Sequence, residues 1–143
     1  MSMDLGELSD RAEITDALHR YTVAVDTGEW DRLDTVFVPD ARIDYTESGG
    51  IAAGYAEVKP WLAEMLPAFF PRRMHTLGQL EIRLDGDSAE VSAYFHNPMP
   101  MDDGQGGTKL VELGGIYHHT MTRTPDGWRS RALREEVVWK QNL

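Results

Sequence analysis

Asp26 and His75 are the residues of this chain whose types and positions are best suited to proton transfer. Asp26 ends a predicted helix, where the macrodipole disfavours a negative charge by ~0.3–1 kcal/mol, so a carboxylate there indicates a function or a local hydrogen-bonding role. The alternative is ordinary turn chemistry within Asp26-Thr27-Gly28. His75 opens a predicted strand. Histidine is the side chain whose unperturbed pKa lies near neutrality, so it is suited to abstracting and returning a proton. A core histidine held by a backbone carbonyl is the other interpretation.

Three tyrosines offer hydroxyl groups that could border the same pocket. Tyr21 lies five residues before Asp26, which corresponds to about 140° around a helix, so the two side chains do not share one helix face. Both can reach one cavity only if that cavity lies where the helix ends. Tyr45 lies on the first predicted strand and Tyr117 on a later one. Each hydroxyl could donate a hydrogen bond to a substrate oxygen or simply terminate a buried aromatic ring.

The remaining histidines do not have the spacing of a metal site. His118 and His119 are adjacent on a predicted strand and therefore point to opposite faces. No His-x-His or His-x-x-x-His pair accompanies them. His96 lies near a strand end, from which we predict that it reaches the cavity. Serine-hydrolase, dinucleotide and phosphate-loop motifs are also absent, so we expect neither a metal nor another cofactor.

Composition excludes several classes of function. The 143 residues are expected to form one domain, spanning residues 1–143, and 41% of them are hydrophobic. A formal net charge of −10 disfavours nucleic acid as a partner. The chain has no cysteine, and we see neither a secretory signal nor the ~20 apolar residues that cross a bilayer. We therefore expect a cytoplasmic protein that does not associate with membranes.

The order of predicted elements positions these side chains. Helices are predicted at residues 9–26, 30–37 and 57–66, with a strand at residues 41–46 between the second and third. Four further strands follow at residues 74–84, 89–97, 109–122 and 128–139. This order predicts an α+β fold, a cone-shaped barrel in which a curved, mostly antiparallel sheet wraps over three N-terminal helices. A cavity between sheet and helices is then the natural ligand site.

Four segments resemble one known family. They are Val25-Asp26-Thr27-Gly28-Glu29-Trp30-Asp31-Arg32-Leu33, Arg42-Ile43-Asp44-Tyr45, Met74-His75-Thr76-Leu77-Gly78, and the hairpin from Gly114-Gly115-Ile116-Tyr117 to Asp126-Gly127-Trp128. Together they are similar to the scytalone dehydratase branch of the SnoaL-like family, within the nuclear-transport-factor-2-like superfamily. The resemblance spans roughly residues 8–140.

This resemblance implies a catalytic pair formed by Asp26 and His75. It also implies a pocket tyrosine, which corresponds to Tyr45 in scytalone dehydratase and to Tyr21 in the bile-acid dehydratase of the superfamily. Hexachlorocyclohexane dehydrochlorinase shares the Asp–His pair and carries lysine at the position of Tyr21. All three enzymes remove a proton from carbon and expel a leaving group.

The chain departs from scytalone dehydratase at several substrate contacts. The second catalytic histidine of that enzyme corresponds to Pro100, and its serine and asparagine contacts fall near Gly115 and Tyr117. We therefore do not expect scytalone itself as the substrate.

The predicted function is a cofactor-independent, dehydratase-like lyase acting on a small hydrophobic ring. The predicted catalytic residues are His75, Asp26, Tyr45 and Tyr21, and the predicted substrate-binding residues are Tyr117, His96, Trp61, Met65 and Leu133. An isomerase or polyketide-cyclase reaction in the same pocket, or binding without catalysis, is the alternative. An apolar outer sheet face of Val111, Leu113, Val138 and Trp139, together with the trimeric dehydratase relatives, predicts a homo-oligomer, either a trimer or a dimer.

Overall fold

Six strands form one curved sheet in a computed structural model that describes residues 2–143. The strands are β1 (Phe37–Asp44), β2 (Ala52–Gly54), β3 (Thr76–Asp85), β4 (Ser88–Asp102), β5 (Thr108–Thr124) and β6 (Gly127–Gln141). Their spatial order is β2-β1-β6-β5-β4-β3. Neighbouring strands are antiparallel except β1 and β6, which are parallel. The predicted fold class, an α+β barrel with a mostly antiparallel sheet, is confirmed.

Three helices pack against the concave face of this sheet. They are α1 (Leu5–Thr27), a 3₁₀ helix (Trp30–Thr35) and α2 (Tyr55–Phe69). Helix α1 begins four residues before the predicted start, because the Asp4 side chain accepts a 2.8 Å hydrogen bond from the Glu7 N–H. It ends at Gly28, whose φ of 75° is the left-handed conformation that glycine adopts without strain.

Several local predictions were wrong. The helix predicted at residues 30–37 ends at Thr35, and the strand predicted at residues 41–46 is β1 (Phe37–Asp44), so Tyr45 lies in the turn after this strand and not on it. Helix α2 continues past its predicted end at residue 66 to Phe69, because Pro67 lies in the last turn, where a proline removes few of the remaining intrahelical hydrogen bonds. Strand β2 was not predicted, since three residues are too short to show alternation. Its pairing with the end of β1 completes one edge of the sheet.

The core lies between α1 and the inward face of the sheet. Ile14, Ala17, Leu18, Tyr21 and Val25 recur at helical spacing on α1 and are buried there. At the narrow end, the fully buried Trp128 donates its indole N–H to Asp10 over 3.0 Å. The fold therefore fills one end of the barrel with side chains and leaves the other end open.

The predicted apolar outer face is only partly observed. Val111 and Leu113 are buried and face inward, because they share the alternation of Tyr117 on β5. Val138 and Trp139 are exposed, beyond an irregularity in the pairing of β5 with β6. Across residues 2–143, no helix combines the length and apolar character that a membrane span requires.

Candidate active site

A cavity of about 350 Å³ lies between the helices and the open end of the sheet. Its wall from α2 is apolar and includes Trp61, Leu62 and Met65. Polar groups come from α1, from the turn after β1 and from the inward face of the sheet, namely Tyr21, Tyr45, Ser48, His75, Asn97, Tyr117 and Glu135. An apolar enclosure with a few polar groups is the usual composition of a small-molecule site.

Asp26 and His75 are hydrogen-bonded at this cavity. Asp26 Oδ1 lies 2.6 Å from His75 Nδ1, and the carboxylate also accepts the His75 backbone N–H at 3.1 Å and 2.8 Å from its two oxygens. The His75 side chain is 9% exposed and the Asp26 side chain 22%. Asp26 thus connects the last turn of α1 to the residue that precedes β3, and it orients both the backbone and the ring of His75.

The arrangement selects one tautomer of His75. A carboxylate can only accept a hydrogen bond, so a neutral imidazole places its proton on Nδ1 and leaves Nε2 as the acceptor. His75 lines the cavity, and Nε2 forms no hydrogen bond within the described part of the chain. This nitrogen is therefore available to a bound molecule.

Arg73 supports the pair and was not identified from the sequence. Its Nε donates to the Val25 carbonyl at 2.7 Å, and its guanidinium lies 5.5 Å from the centre of the Trp30 ring. These contacts anchor the segment that carries His75 to the end of α1. Burial lowers the pKa of Arg73, while the charge of Asp26 raises it.

Three buried tyrosines form a cluster beside the cavity. The hydroxyl groups of Tyr21 and Tyr45 share a hydrogen bond of 2.5 Å, and the Tyr21 ring meets the Tyr117 ring edge-on at 5.4 Å. Burial raises the pKa of all three phenols well above the ordinary value. They therefore stay protonated near neutrality and can donate hydrogen bonds.

Glu135 and Asn97 are two polar residues in the cavity wall that the sequence reasoning missed. Glu135 is 5% exposed and Asn97 is 1% exposed. The pKa of Glu135 is raised to about 7, because burial and the charges of Glu47 and Asp44 raise it by more than the Ser48 hydroxyl lowers it. A signal did exist, because Glu135 shares the alternation of the inward-facing Leu133.

Two predicted substrate-binding residues do not line the cavity. His96 is on the outer face, where its side chain is 51% exposed and its Nε2 lies 2.8 Å from Glu112 Oε2. Side chains alternate along β4, so the neighbouring Asn97 points inward and His96 points outward. Leu133 faces inward but packs in the core, opposite His119 and nearer the filled end of the barrel. The other predicted substrate-binding residues, Tyr117, Trp61 and Met65, do line it. Of the predicted catalytic residues, His75, Tyr45 and Tyr21 line the cavity, whereas Asp26 lies behind His75.

His118 and His119 lie on opposite faces of β5. His118 Nε2 is 2.7 Å from Glu136, whereas His119 is buried and its Nδ1 is 2.8 Å from the Ser130 hydroxyl. Burial, together with a smaller effect of the nearby His118, lowers the pKa of His119 to about 3. Over residues 2–143, no three His, Asp or Glu side chains are grouped as metal ligands would be.

The fold and this cavity place the chain in a known class. A model of the SnoaL-like domain matches residues 6–134, and the chain belongs to that family. Its structural neighbours include a protein of the nuclear-transport-factor-2-like superfamily from Salmonella enterica. The family predicted from the sequence is therefore confirmed.

Relatives and solved structures extend this comparison. An uncharacterized protein of Mycobacterium tuberculosis is 41% identical over 127 residues, which are 89% of this chain and 84% of the relative. A Gibberella zeae protein named a probable cyclase is 28% identical over 133 residues, 85% of this chain and 87% of its own.

Two solved structures have the same fold at lower identity. Hexachlorocyclohexane dehydrochlorinase LinA-type3 from Novosphingobium barchaimii is 17% identical, with a TM-score of 0.84 over 99% of this chain and 94% of that chain. A scytalone dehydratase-like protein from Novosphingobium aromaticivorans is 16% identical, with a TM-score of 0.82 over 96% and 89%.

Proposed function

We propose that this chain is a cofactor-independent lyase that removes a proton and a leaving group from a small cyclic molecule. The observation that carries the proposal is the hydrogen bond between Asp26 and His75 Nδ1, which leaves Nε2 of the ring free at an apolar cavity. The names of the dehydrochlorinase and the dehydratase-like neighbour support the same class of reaction.

His75 is the general base in this proposal. Its Nε2 takes the proton from a carbon next to a carbonyl, and the Asp26 carboxylate stabilises the imidazolium that forms. The electron pair of the broken C–H bond forms the new double bond as the C–O bond to the leaving hydroxyl breaks. The imidazolium then returns its proton to that hydroxyl, so the products are an unsaturated ketone and water.

Tyr45 or Tyr21 supplies a hydrogen bond to the carbonyl oxygen, because the hydroxyl that donates within the Tyr21–Tyr45 pair has no second proton to give. Negative charge accumulates on that oxygen when the proton leaves, and a donor placed there contributes ~10²–10³ to the rate. The raised pKa of each phenol keeps its proton in place for this role. Trp61 and Met65 provide the apolar wall against which a ring packs.

An isomerase or cyclase reaction is the second candidate, and the Gibberella zeae relative named a probable cyclase favours it. Both reactions begin with the same proton abstraction by His75. They differ in outcome, because an isomerase returns the proton to carbon and loses no water.

Incubation with 3-hydroxy-1-tetralone and other one- and two-ring β-hydroxy ketones tests the proposal. A lyase releases a product lighter than the substrate by one water, and the product from the tetralone is 1-naphthol. If the substrate instead takes up deuterium at the α-carbon in D₂O and loses no water, the enzyme belongs to the isomerase class. We expect His75→Ala to lower the rate by ~10²–10⁴.

His96→Ala is the matched control, since His96 is an exposed histidine on the outer face. We expect it to retain the wild-type rate. Turnover of the ketones by His75→Ala at the wild-type rate would contradict the role of His75. A wild-type protein that neither eliminates water nor exchanges the α-proton in any ketone of the panel would reject both reactions.

A further inference from the structure

Two acceptor atoms in the wall of the cavity have no donor. Asn97 Oδ1 and Glu135 Oε1 are fully buried and form no hydrogen bond within residues 2–143. Both side chains line the cavity. An unpaired buried acceptor costs free energy, so buried polar atoms are almost always satisfied by some partner.

The amide nitrogen of Asn97 already has a partner, so only its oxygen is left unpaired. Asn97 Nδ2 donates to the Tyr117 hydroxyl at 3.1 Å, which directs the other amide atom, Oδ1, away from that contact. Tyr117 is the β5 partner of Glu135, so their side chains share the inward face. Glu135 lines the same cavity as the tyrosine cluster of Tyr21, Tyr45 and Tyr117.

We propose that Asn97 and Glu135 form a second polar subsite, which accepts a hydrogen bond from a hydroxyl group carried by the substrate ring. The subsite is formed by β4 and β6, whereas His75 precedes β3 and lies beside the β4 part of the subsite, because Thr76 pairs with His96. The apolar wall of Trp61, Met65 and Leu113 then packs against the ring itself. The substrate class is a hydroxylated carbocycle rather than a plain hydrocarbon ring.

This inference rests on the proposed function for the reaction, but its test measures binding alone and needs no turnover. The probes are 2-naphthol and 2-methylnaphthalene, which have nearly the same shape and differ in the hydroxyl donor. Dissociation constants are measured by NMR chemical-shift titration of the full chain. We expect the wild type to bind 2-naphthol about tenfold more tightly, the usual effect of one additional hydrogen bond.

Asn97→Leu and Glu135→Met remove one acceptor each and should reduce the tenfold preference to about twofold or less, with 2-methylnaphthalene binding unchanged. Glu135→Gln keeps an acceptor oxygen and should retain most of the preference, which separates lost hydrogen bonding from misfolding. Glu136→Gln is the matched control, because Glu136 contacts His118 on the outer face and should not alter binding.

His75→Ala distinguishes this subsite from the catalytic pair. It should keep the preference for 2-naphthol even though it abolishes proton abstraction. If His75→Ala loses the preference while the Asn97 and Glu135 variants keep it, the hydroxyl binds at His75 and the proposed subsite is wrong. Equal affinity of the wild type for both probes, or no binding of 2-naphthol up to its solubility, would also overturn it.

Discussion

The carboxylate of Asp26 binds His75 at two places, the ring Nδ1 at 2.6 Å and the backbone N–H at 2.8 Å. One acid therefore both secures the segment before β3 and sets the tautomer of the ring. Asp26 lies in the last turn of α1, where the helix dipole is unfavourable for a carboxylate. The three hydrogen bonds from His75 are the local interactions that offset this cost.

Asp26→Asn is expected to reverse the tautomer of His75. An amide of the same shape presents an N–H to the ring, so Nδ1 becomes the acceptor and the proton moves to Nε2, where it blocks proton abstraction. We expect ¹⁵N NMR of the His75 ring to show this exchange of protonated nitrogen. The rate of α-proton abstraction should fall by ~10²–10⁴.

Asp16→Asn serves as the control for this variant, since Asp16 is exposed on the same helix. It should change neither the ¹⁵N spectrum of His75 nor the rate. A spectrum of Asp26→Asn with the proton still on Nδ1 would contradict the assigned orientation of the pair.

Tyr21→Phe and Tyr45→Phe are expected to destabilise the fold in a coupled manner. Each change leaves the other buried hydroxyl without its partner, which costs about 1–3 kcal/mol in the free energy of unfolding. The double variant should lose less than the sum of the two, by about 0.5–3 kcal/mol, because it leaves no orphaned partner. Denaturant unfolding measures all three.

Tyr94→Phe controls for the loss of a tyrosine hydroxyl, since Tyr94 is 41% exposed. It should alter the free energy of unfolding by less than about 0.5 kcal/mol. Strict additivity of the two buried changes would show that the Tyr21–Tyr45 hydrogen bond contributes nothing.

Glu135→Gln is expected to stabilise the protein above neutral pH. The folded pKa of Glu135 is about 7 against a reference of 4.5, so the folded state binds more protons between these values. Wild-type stability attributable to this group therefore falls as pH rises from about 4.5 to about 7, and it stays reduced above. A neutral amide removes that loss, which amounts to at most about 3 kcal/mol.

Unfolding free energies of both proteins between pH 4 and pH 8.5 test this expectation. The unfolding free energies of the two proteins should agree at pH 4 and should separate as the pH rises from about 4.5 to about 7. The variant should be the more stable protein at pH 8.5. Glu136→Gln, on the outer face, should show no separation of this size and direction. Parallel curves for Glu135→Gln and the wild type would mean that the Glu135 carboxyl titrates normally.

Gly115→Ala is expected to disrupt the pairing of β5 with β6. A methyl group there would lie 2.0 Å from the Glu136 carbonyl oxygen and 2.9 Å from the Phe95 ring, so the strands must separate. Overpacking of this kind costs about 1–3 kcal/mol or more. Gly78→Ala is the matched control in the same sheet, because its nearest neighbour, the Tyr94 Cβ, is 3.7 Å away. Thermal unfolding should therefore show a large decrease in Tm for Gly115→Ala alone.

The sequence by itself determined the elements and the candidate residues at their ends. Three features can be predicted from short stretches of sequence, because each depends only on neighbouring residues. They are the helical spacing of apolar residues in α1, the end of α1 at Gly28, and the alternation of inward and outward side chains in β4 to β6. The family resemblance identified Asp26 and His75 as a pair although 49 positions separate them.

Only the tertiary structure decided which side chains share the cavity. Placing Asn97 inward and His96 outward depends on the register of β4, and the inward position of Glu135 depends on its pairing with Tyr117. The parallel contact of β1 with β6 joins segments far apart in the chain. Such relationships arise from long-range strand pairing, and a one-residue shift in register exchanges the two faces of a strand.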